Sequence, residues 1–493
     1  MTFQTKDKTP RRSKKTPAKK KSAGKASHDI ANPPALLEFM MQGWKESSRR
    51  MPQKVKGFEE FAARRGELSG FFKGETLVIP TGSEKVRAND TNFRFRAGTD
   101  FFFLTGNNEA DCVLVLKPKS RGGHTSILFA EPNPGRSDPT FFTDRHKGEL
   151  WVGPRLGIEQ SRERYQVDRC QPLSELKAFL KEVKGRGKHR LVRGVDPVLD
   201  KQLPRRKEQD AELSAVLSEL RLIKSPRDLN TIKKACAATK RGFEDIIRSL
   251  KHARTERDIE AAFNARARIE GNDVGYNVIA AGGANACILH WNDNDARLNK
   301  KELLLVDAGV ESEQLYTADI TRTIPMSGKY SKEQREIYDL VQDAQEAAFK
   351  AVKPGNEFLA PHWAAMSTLA HGLERLGLLP CSAEEALKPE NQFYKRFTLH
   401  GTSHMLGMDV HDCSHARPAA YRSAALKPGM VLTIEPGLYF QTDDLTVPAR
   451  YRGIGVRIED DVVVTARGCR LLSKDIPRTS SDVEKWMREV WSS

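Results

Sequence analysis

Apolar residues along this chain recur at two periods, and the switch between them marks out its elements. Leu229, Ile232, Cys236, Phe243, Ile246, Ile247 and Leu250 form a helical stripe. Just before it, Ser225-Pro226-Arg227-Asp228 carries every part of a helix start. The serine can cap, proline suits the first helical position, and the acid three residues on closes a capping box. Thr255 and Asp258 open a second helix in the same way. Ile259, Phe263 and Ile269 are expected on its inner face, and Gly271 ends it. Ser331 caps a third helix, which carries Ile337, Leu340, Val341, Ala344 and Val352, and residues 361–376 form a fourth. Strand-length apolar runs follow each helix pair. They fall at 277–281, 302–308 and 318–324 after the first pair, and at 430–440 and 455–465 after the second. Two helix pairs, each followed by strands, predict an internally duplicated α/β unit.

The first part of the chain is also α/β. Residues 33–50 read as a short amphipathic helix. Residues 55–210 then mix helical stretches with short apolar runs at 76–79, 112–116 and 125–129. A boundary is expected near residues 220–224. The division is thus 1–28 as a basic tail, 29–220 as an N-terminal α/β domain and 221–493 as a catalytic domain. Several domains are also what 493 residues imply.

Composition sharpens this picture in three ways. With 39% hydrophobic and 30% charged residues the chain has the makings of folded domains. No apolar run approaches 18 residues, so no membrane span is expected. Seven cysteines make no CxxC pair, which argues against a disulfide framework or zinc knuckle and for a reducing compartment. The net charge of +16 suggests nucleic acid until it is located. Residues 1–28 hold ten basic side chains and one acid, more than half of the excess. That segment has almost no large apolar residue and is expected to be a disordered, solvated tail. Nucleic-acid binding is expected, if at all, only through it.

Candidate chemistry gathers on the strands of residues 221–493. Asp307 ends an apolar strand, Asp319 sits inside the next, and Glu435 ends another. In Gly455-Val-Arg-Ile-Glu459, Arg457 and Glu459 share one face by the period of two, with Val456 and Ile458 on the other. Burying a bare carboxylate is expensive. Arg457 alone cannot neutralise four, so one or two metal ions are the simplest account. Histidines join the cluster: His400, His404 and His411 fall within twelve residues, and His290 stands apart. The His400–His404 spacing lacks the glutamate of a zincin helix. Carboxylate oxygens with an imidazole suit Mn²⁺, Fe²⁺, Co²⁺ or Zn²⁺. Four carboxylates and one histidine exceed an open tetrahedral zinc and suit two ions roughly 3.5 Å apart. Taken singly, each residue has a plainer reading. A strand-end aspartate is commonly a turn residue, and a lone histidine such as His290 a rim residue. Asp460 and Asp461 are expected to be solvated, and Cys413 is not expected to be a ligand.

Together these segments resemble the pita-bread metallopeptidases, in particular the aminopeptidase P and prolidase family. The resemblance spans about residues 94–487. It includes Asp100-Phe-Phe-Phe-Leu-Thr-Gly106 in the first domain and Gly453-Ile-Gly-Val-Arg-Ile-Glu-Asp-Asp461 near the end. It implies a creatinase-like N-terminal α/β domain followed by a pita-bread domain. It also implies two divalent ions, Mn²⁺ first among them, with Zn²⁺, Co²⁺ or Fe²⁺ as alternatives. On this resemblance Asp307 binds one ion, Asp319 and Glu459 bridge both, and His404 and Glu435 bind the second. Glu435 also steers the attacking water and takes its proton. His290 and His411 contact the substrate carbonyl and the tetrahedral intermediate, and His400 lines the proline side. Arg457 orients the carboxylates, and Tyr276 and Arg422 are candidates for the substrate pocket. The implied activity is release of an N-terminal residue preceding proline, in a cytoplasmic homo-oligomer. The N-terminal domain would restrict the cleft to chain ends. A dipeptide-restricted prolidase is the close alternative. A peptide- or protein-binding relative without activity is the distant one, and would be expected to lack some of the five ligand positions.

Overall fold

The computed structural model describes residues 32–45, 50–89 and 91–493. The tail expected at 1–28 lies outside the described residues. The chain divides into two units. The smaller takes Met1–Arg49, of which 32–45 are described, and Asn133–Arg155; the larger takes Arg50–Pro132 and Leu156–Ser493.

In the smaller unit the helix expected over 33–50 runs only from Pro34 to Met41. Gly43 follows at φ +75°, a conformation that ends helices readily. None of the helix's residues is buried. Nearby, the Trp44 ring lies 6.2 Å from that of Phe142, with the Arg136 guanidinium 4.2 Å over it.

In the larger unit the first strands form one mixed five-stranded sheet. Its order is Arg169–Pro172, His124–Ala130, Val113–Pro118, Thr76–Pro80, His189–Leu191. The period of two is visible in its packing. Val78, Val113, Val115 and Ile127 pack with Leu176 and Leu180 of helix Leu176–Arg186, while Leu77, Ile79, Leu114 and Leu128 face the main core.

The duplicated order of elements is present beyond residue 221. Helix Pro226–Ser249 starts on a full Ser225/Asp228 capping box, and Glu256–Glu270 on Thr255/Asp258. The antiparallel sheet Ile279–Gly282, Leu303–Ala308, Ile320–Pro325 follows. Helix Lys332–Ala351, capped by Ser331, and helix Ala360–Arg375 form the second pair. One residue expected on an inner face is not there: Ile269 is 73% exposed, and Ala267 is buried in its place.

The last two expected strands are each broken in two. Val431–Ile434 pairs with Asp460–Val464, whereas Gly437–Tyr439 pairs with Gly455–Arg457 in a separate ribbon. The breaks fall at Glu435-Pro436 and Ile458-Glu459. Proline has no N–H to give a ladder. The Glu435 N–H donates instead to the Thr402 carbonyl at 2.9 Å, and the Glu459 N–H to the Thr321 carbonyl at 3.0 Å.

Candidate active site

Both strand breaks, and the end of one unbroken strand, deliver carboxylates to a common point. Asp307 lies opposite Thr321 in the central strand pair, and Asp319 stands just before that partner strand. His404 is held beside the second sheet, where its carbonyl accepts from the Thr433 N–H at 3.0 Å and Met405 bridges to Leu432. Asp307, Asp319, His404, Glu435 and Glu459 all line one cavity of about 330 Å³.

Their contacts are mutual. His404 Nε2 lies 3.3 Å from Asp319 Oδ2 and 3.6 Å from Glu435 Oε1. Glu435 Oε2 lies 3.4 Å from His400 Nδ1. The Tyr276 hydroxyl donates to Asp307 at 2.7 Å and lies 2.5 Å from Asp319 Oδ1. Thr321 Oγ1 donates to Glu459 at 2.7 Å. The Arg457 guanidinium reaches three groups: Asp307 Oδ2 at 2.7 Å, the Tyr439 oxygen at 2.9 Å and Thr321 Oγ1 at 3.2 Å. Arg457 and Glu459 thus meet the same threonine, as expected for residues on one face. Tyr439 and Thr321 carry no motif signal. Only the pairing of Gly437–Tyr439 with Gly455–Arg457 and of Thr321 with Asp307 brings them in.

Crowding of buried carboxylates governs the electrostatics. Burial raises Asp319 to about 6 despite the His404 contact, and the Asp307 charge adds to the rise. Burial, then the charges of Asp319, Glu435 and Asp307, hold Glu459 well above the usual carboxylate range. Burial would lower His404, but the Asp319 contact and the charges of Asp319 and Glu435 outweigh it and raise the imidazole to about 9. Glu435 moves the other way: burial would raise it, but the His400 contact and the charges of His400, His404 and Arg457 together outweigh burial and lower it. This is a site built for more positive charge than Arg457 and His404 provide. One ligand atom each from Asp319, His404 and Glu459 lies within 4.8 Å of the others. Hard oxygens with one imidazole fit a divalent cation of the Mn²⁺ to Zn²⁺ series.

The other expected residues surround this cluster. His290, His400, His411, Tyr276 and Arg457 line the same cavity, alongside apolar Ile279, Leu289 and Val410. The His411 ring meets that of His404 edge-on at 4.4 Å. His400 Nε2 lies 2.8 Å from the Tyr439 oxygen. A neighbouring cavity of about 540 Å³ shares the four histidines His290, His400, His404 and His411 and Glu435, and reaches Tyr421 and exposed Arg422. Tyr276, expected in the substrate pocket, has its hydroxyl on the two aspartates.

One expectation is reversed. Asp460 and Asp461, taken as solvated, are both 0% exposed. Asp460 accepts from Arg322 at 2.9 Å, Gln345 at 3.0 Å and Ser473 at 2.5 Å. Asp461 accepts the Asp319 N–H at 3.1 Å and the Cys236 thiol at 3.3 Å. They lie inside because the chain changes sheets at Glu459 and turns both residues into the second sheet. Cys413 lines neither cavity, and burial pushes its thiol up to about 12.

Known proteins resemble this chain over most of its length. Residues 61–192 match the family model of the aminopeptidase P N-terminal domain, and residues 230–466 that of metallopeptidase family M24. Xaa-Pro aminopeptidase 1 of Streptomyces coelicolor is 47% identical over 456 residues, covering 92% of this chain and 91% of the relative. Xaa-Pro aminopeptidase of Escherichia coli is 33% identical over 457 residues, covering 87% and 97%. The solved structure of Escherichia coli aminopeptidase P with the inhibitor Pro-Leu superposes with a TM-score of 0.79 at 30% identity, over 89% of this chain and 100% of that one. The zinc-substituted Escherichia coli enzyme in complex with product gives a TM-score of 0.78 at 31% identity, over 89% and 99%. From its N-terminal domain through its buried carboxylate and histidine cluster, the chain belongs to the aminopeptidase P family of M24 metallopeptidases.

Proposed function

We propose that this enzyme releases the N-terminal residue from peptides with proline in second position. The observation that carries the reading is the convergence of five ligand-type side chains and three further histidines on one cavity. The names of the relatives support the choice of substrate. Asp307, Asp319, His404, Glu435 and Glu459 would hold two divalent ions, Mn²⁺ first among the candidates. Bound there, such ions would supply positive charge that acidifies water and polarises the scissile carbonyl.

The chain's own groups do the rest. Glu435, which lies 3.4 Å from His400, takes the proton of the attacking water as general base. His411 and His290 face the same cavity and donate hydrogen bonds to the carbonyl oxygen as it gains charge. His400 lines the proline side, which must accept a ring and an amide with no N–H. Arg457 fixes Asp307 and the Tyr439 hydroxyl together. Tyr276 holds Asp307 and Asp319 in one orientation. Arg422, on the rim of the adjoining cavity, holds a backbone carbonyl of the departing chain.

The same reading divides the chain into an N-terminal domain of residues 29–220 and a catalytic domain of residues 221–493. It also takes the active species as a cytoplasmic homo-oligomer. All seven cysteines are unpaired, which supports a reducing compartment. Among the described residues, no helix is long and apolar enough to cross a membrane.

The test is kcat/KM for an Xaa-Pro dipeptide against an Xaa-Pro-Xaa-Xaa tetrapeptide, each with and without Mn²⁺. The tetrapeptide is expected to be cleaved at its first bond. Cleavage of the dipeptide alone would make the enzyme a prolidase, with Arg422 capturing the free carboxylate after proline.

A further inference from the structure

Glu256 is the first residue of helix Glu256–Glu270 and is 0% exposed. Among the described residues no cation pairs with it. Its carboxylate instead accepts four hydrogen bonds, all from one loop. Oε1 accepts the Gly282 N–H at 2.7 Å and the Asn285 amide at 2.9 Å. Oε2 accepts the Trp291 indole N–H at 2.8 Å and the Ala296 N–H at 3.0 Å. The clamp is reciprocal, because the Glu256 N–H itself donates to the Ala296 carbonyl at 3.0 Å. Four donors are about what the two oxygens of a buried carboxylate can accept in place of water.

Residues 282–296 leave the sheet, pass through His290 and return. His290 lines the cavity but is itself exposed, and no hydrogen bond among the described residues fixes its ring. Its position therefore rests on the backbone around it. Trp291, the next residue, is tied to Glu256, and so are both ends of the loop. We infer that Glu256 is the positioning residue for His290: its carboxylate gathers the 282–296 loop so that the imidazole faces the substrate carbonyl. The inference rests on the role proposed above for His290. Glu256 touches none of the five ligand candidates, so it acts on turnover without acting on metal content.

The experiment uses the full chain loaded with Mn²⁺. Glu256→Gln keeps the shape but replaces one acceptor oxygen, which takes two of the four bonds, by an NH₂ donor, so at least two are lost. Misplacing a catalytic group by about 1 Å costs up to ~10²-fold, so kcat is expected to fall about 10- to 100-fold with KM and metal content little changed. In a His290→Ala background the same substitution should cost less than about threefold, since a group already absent cannot be misplaced. Trp291→Phe and Asn285→Ala each remove one bond and should give smaller losses of the same kind. They keep the test open if Glu256→Gln does not fold. Hydrogen exchange gives a readout independent of activity: the Gly282 and Ala296 amides should exchange faster in Glu256→Gln. Equal losses with and without His290, a loss of bound metal, or unchanged exchange in the loop would overturn the inference. If the wild-type enzyme does not cleave Xaa-Pro peptides, the functional reading fails instead, and exchange alone decides whether Glu256 holds the loop.

Discussion

At the scale of single residues, the two roles proposed around the cavity separate cleanly by what each side chain touches. Glu435 lies 3.4 Å from His400 and 3.6 Å from His404; burial would raise its carboxyl, but these two histidines and the Arg457 charge together hold it below its ordinary pKa. Glu435→Gln removes both a ligand charge and the base. It is expected to lower kcat by at least ~10²-fold while substrate binding changes far less. Presteady-state binding of a substrate peptide alongside turnover checks this, and a purely KM effect would show that Glu435 does not take the proton. His411 differs. Its ring meets His404 edge-on, and burial and the neighbouring His404 charge hold its pKa below the ordinary value. His411→Ala should lower kcat strongly yet leave bound metal near the wild-type level by elemental analysis. Loss of the metal in that variant would make His411 a ligand.

At the scale of elements, the helix that precedes His400 carries its own pH signature. His362, near the start of Ala360–Arg375, has Nδ1 3.0 Å from Thr402 Oγ1. Burial, then the charges of Lys395 and His400, lower it from 6.5 to about 4. A folded-state pKa below the unfolded one means that the unfolded chain binds the extra proton first. The stability contributed is complete above about pH 6.5 and is lost as pH falls toward 4. His362→Gln cannot gain that proton, so its Tm should decline less steeply than that of the wild type between pH 7 and 4.5, as calorimetry would read. Parallel declines would remove His362 from the account. Elements differ in how far the sequence reveals them. The capping boxes at Ser225 and Thr255 and the cap at Ser331 are legible because every group they use lies within four residues. The inner face of Glu256–Glu270 was misread at one position. Ile259, Phe263 and Ala267 follow the four-residue step, while Ile269 lies about 200° around from Ala267. Pro436 is a local sign of the first break, but which sheet Val431–Ile434 and Gly437–Tyr439 each join is not legible, because partners far along the chain make that choice. Burial of Asp460 and Asp461 follows from that same choice. Their partners Arg322, Gln345 and Cys236 come from three other elements, so nothing local announces them.

At the scale of the whole molecule, the four carboxylates of the cluster are legible because each sits on an apolar run, and apolar runs go inside, whereas the choice of His404 among the histidines comes from the family resemblance. Their convergence has an energetic cost that the fold alone does not offset. Asp319 is raised to about 6 and Glu459 is held well above its ordinary value, so carboxylates at this point repel one another and are poorly hydrated. A divalent cation relieves both effects, and it binds the folded chain, since the ligands come from segments as far apart as Asp307 and Glu459 that only folding assembles. Binding to the folded state alone stabilises by RT ln(1 + [L]/Kd), about 4 kcal/mol at a thousandfold excess over Kd. Chelation is therefore expected to abolish hydrolysis and lower Tm together. Adding Mn²⁺ back should restore both over the same concentration range. Differential scanning fluorimetry and turnover, followed through one Mn²⁺ titration of the chelated protein, make the comparison. Asp319→Asn and Glu459→Gln should narrow the Tm difference between chelated and metal-loaded protein, since each removes repulsion from the first state and a ligand from the second. A Tm and an activity both unmoved by chelation, with only trace metal by elemental analysis, would mean that the carboxylate cluster is held by Arg457 and His404 alone.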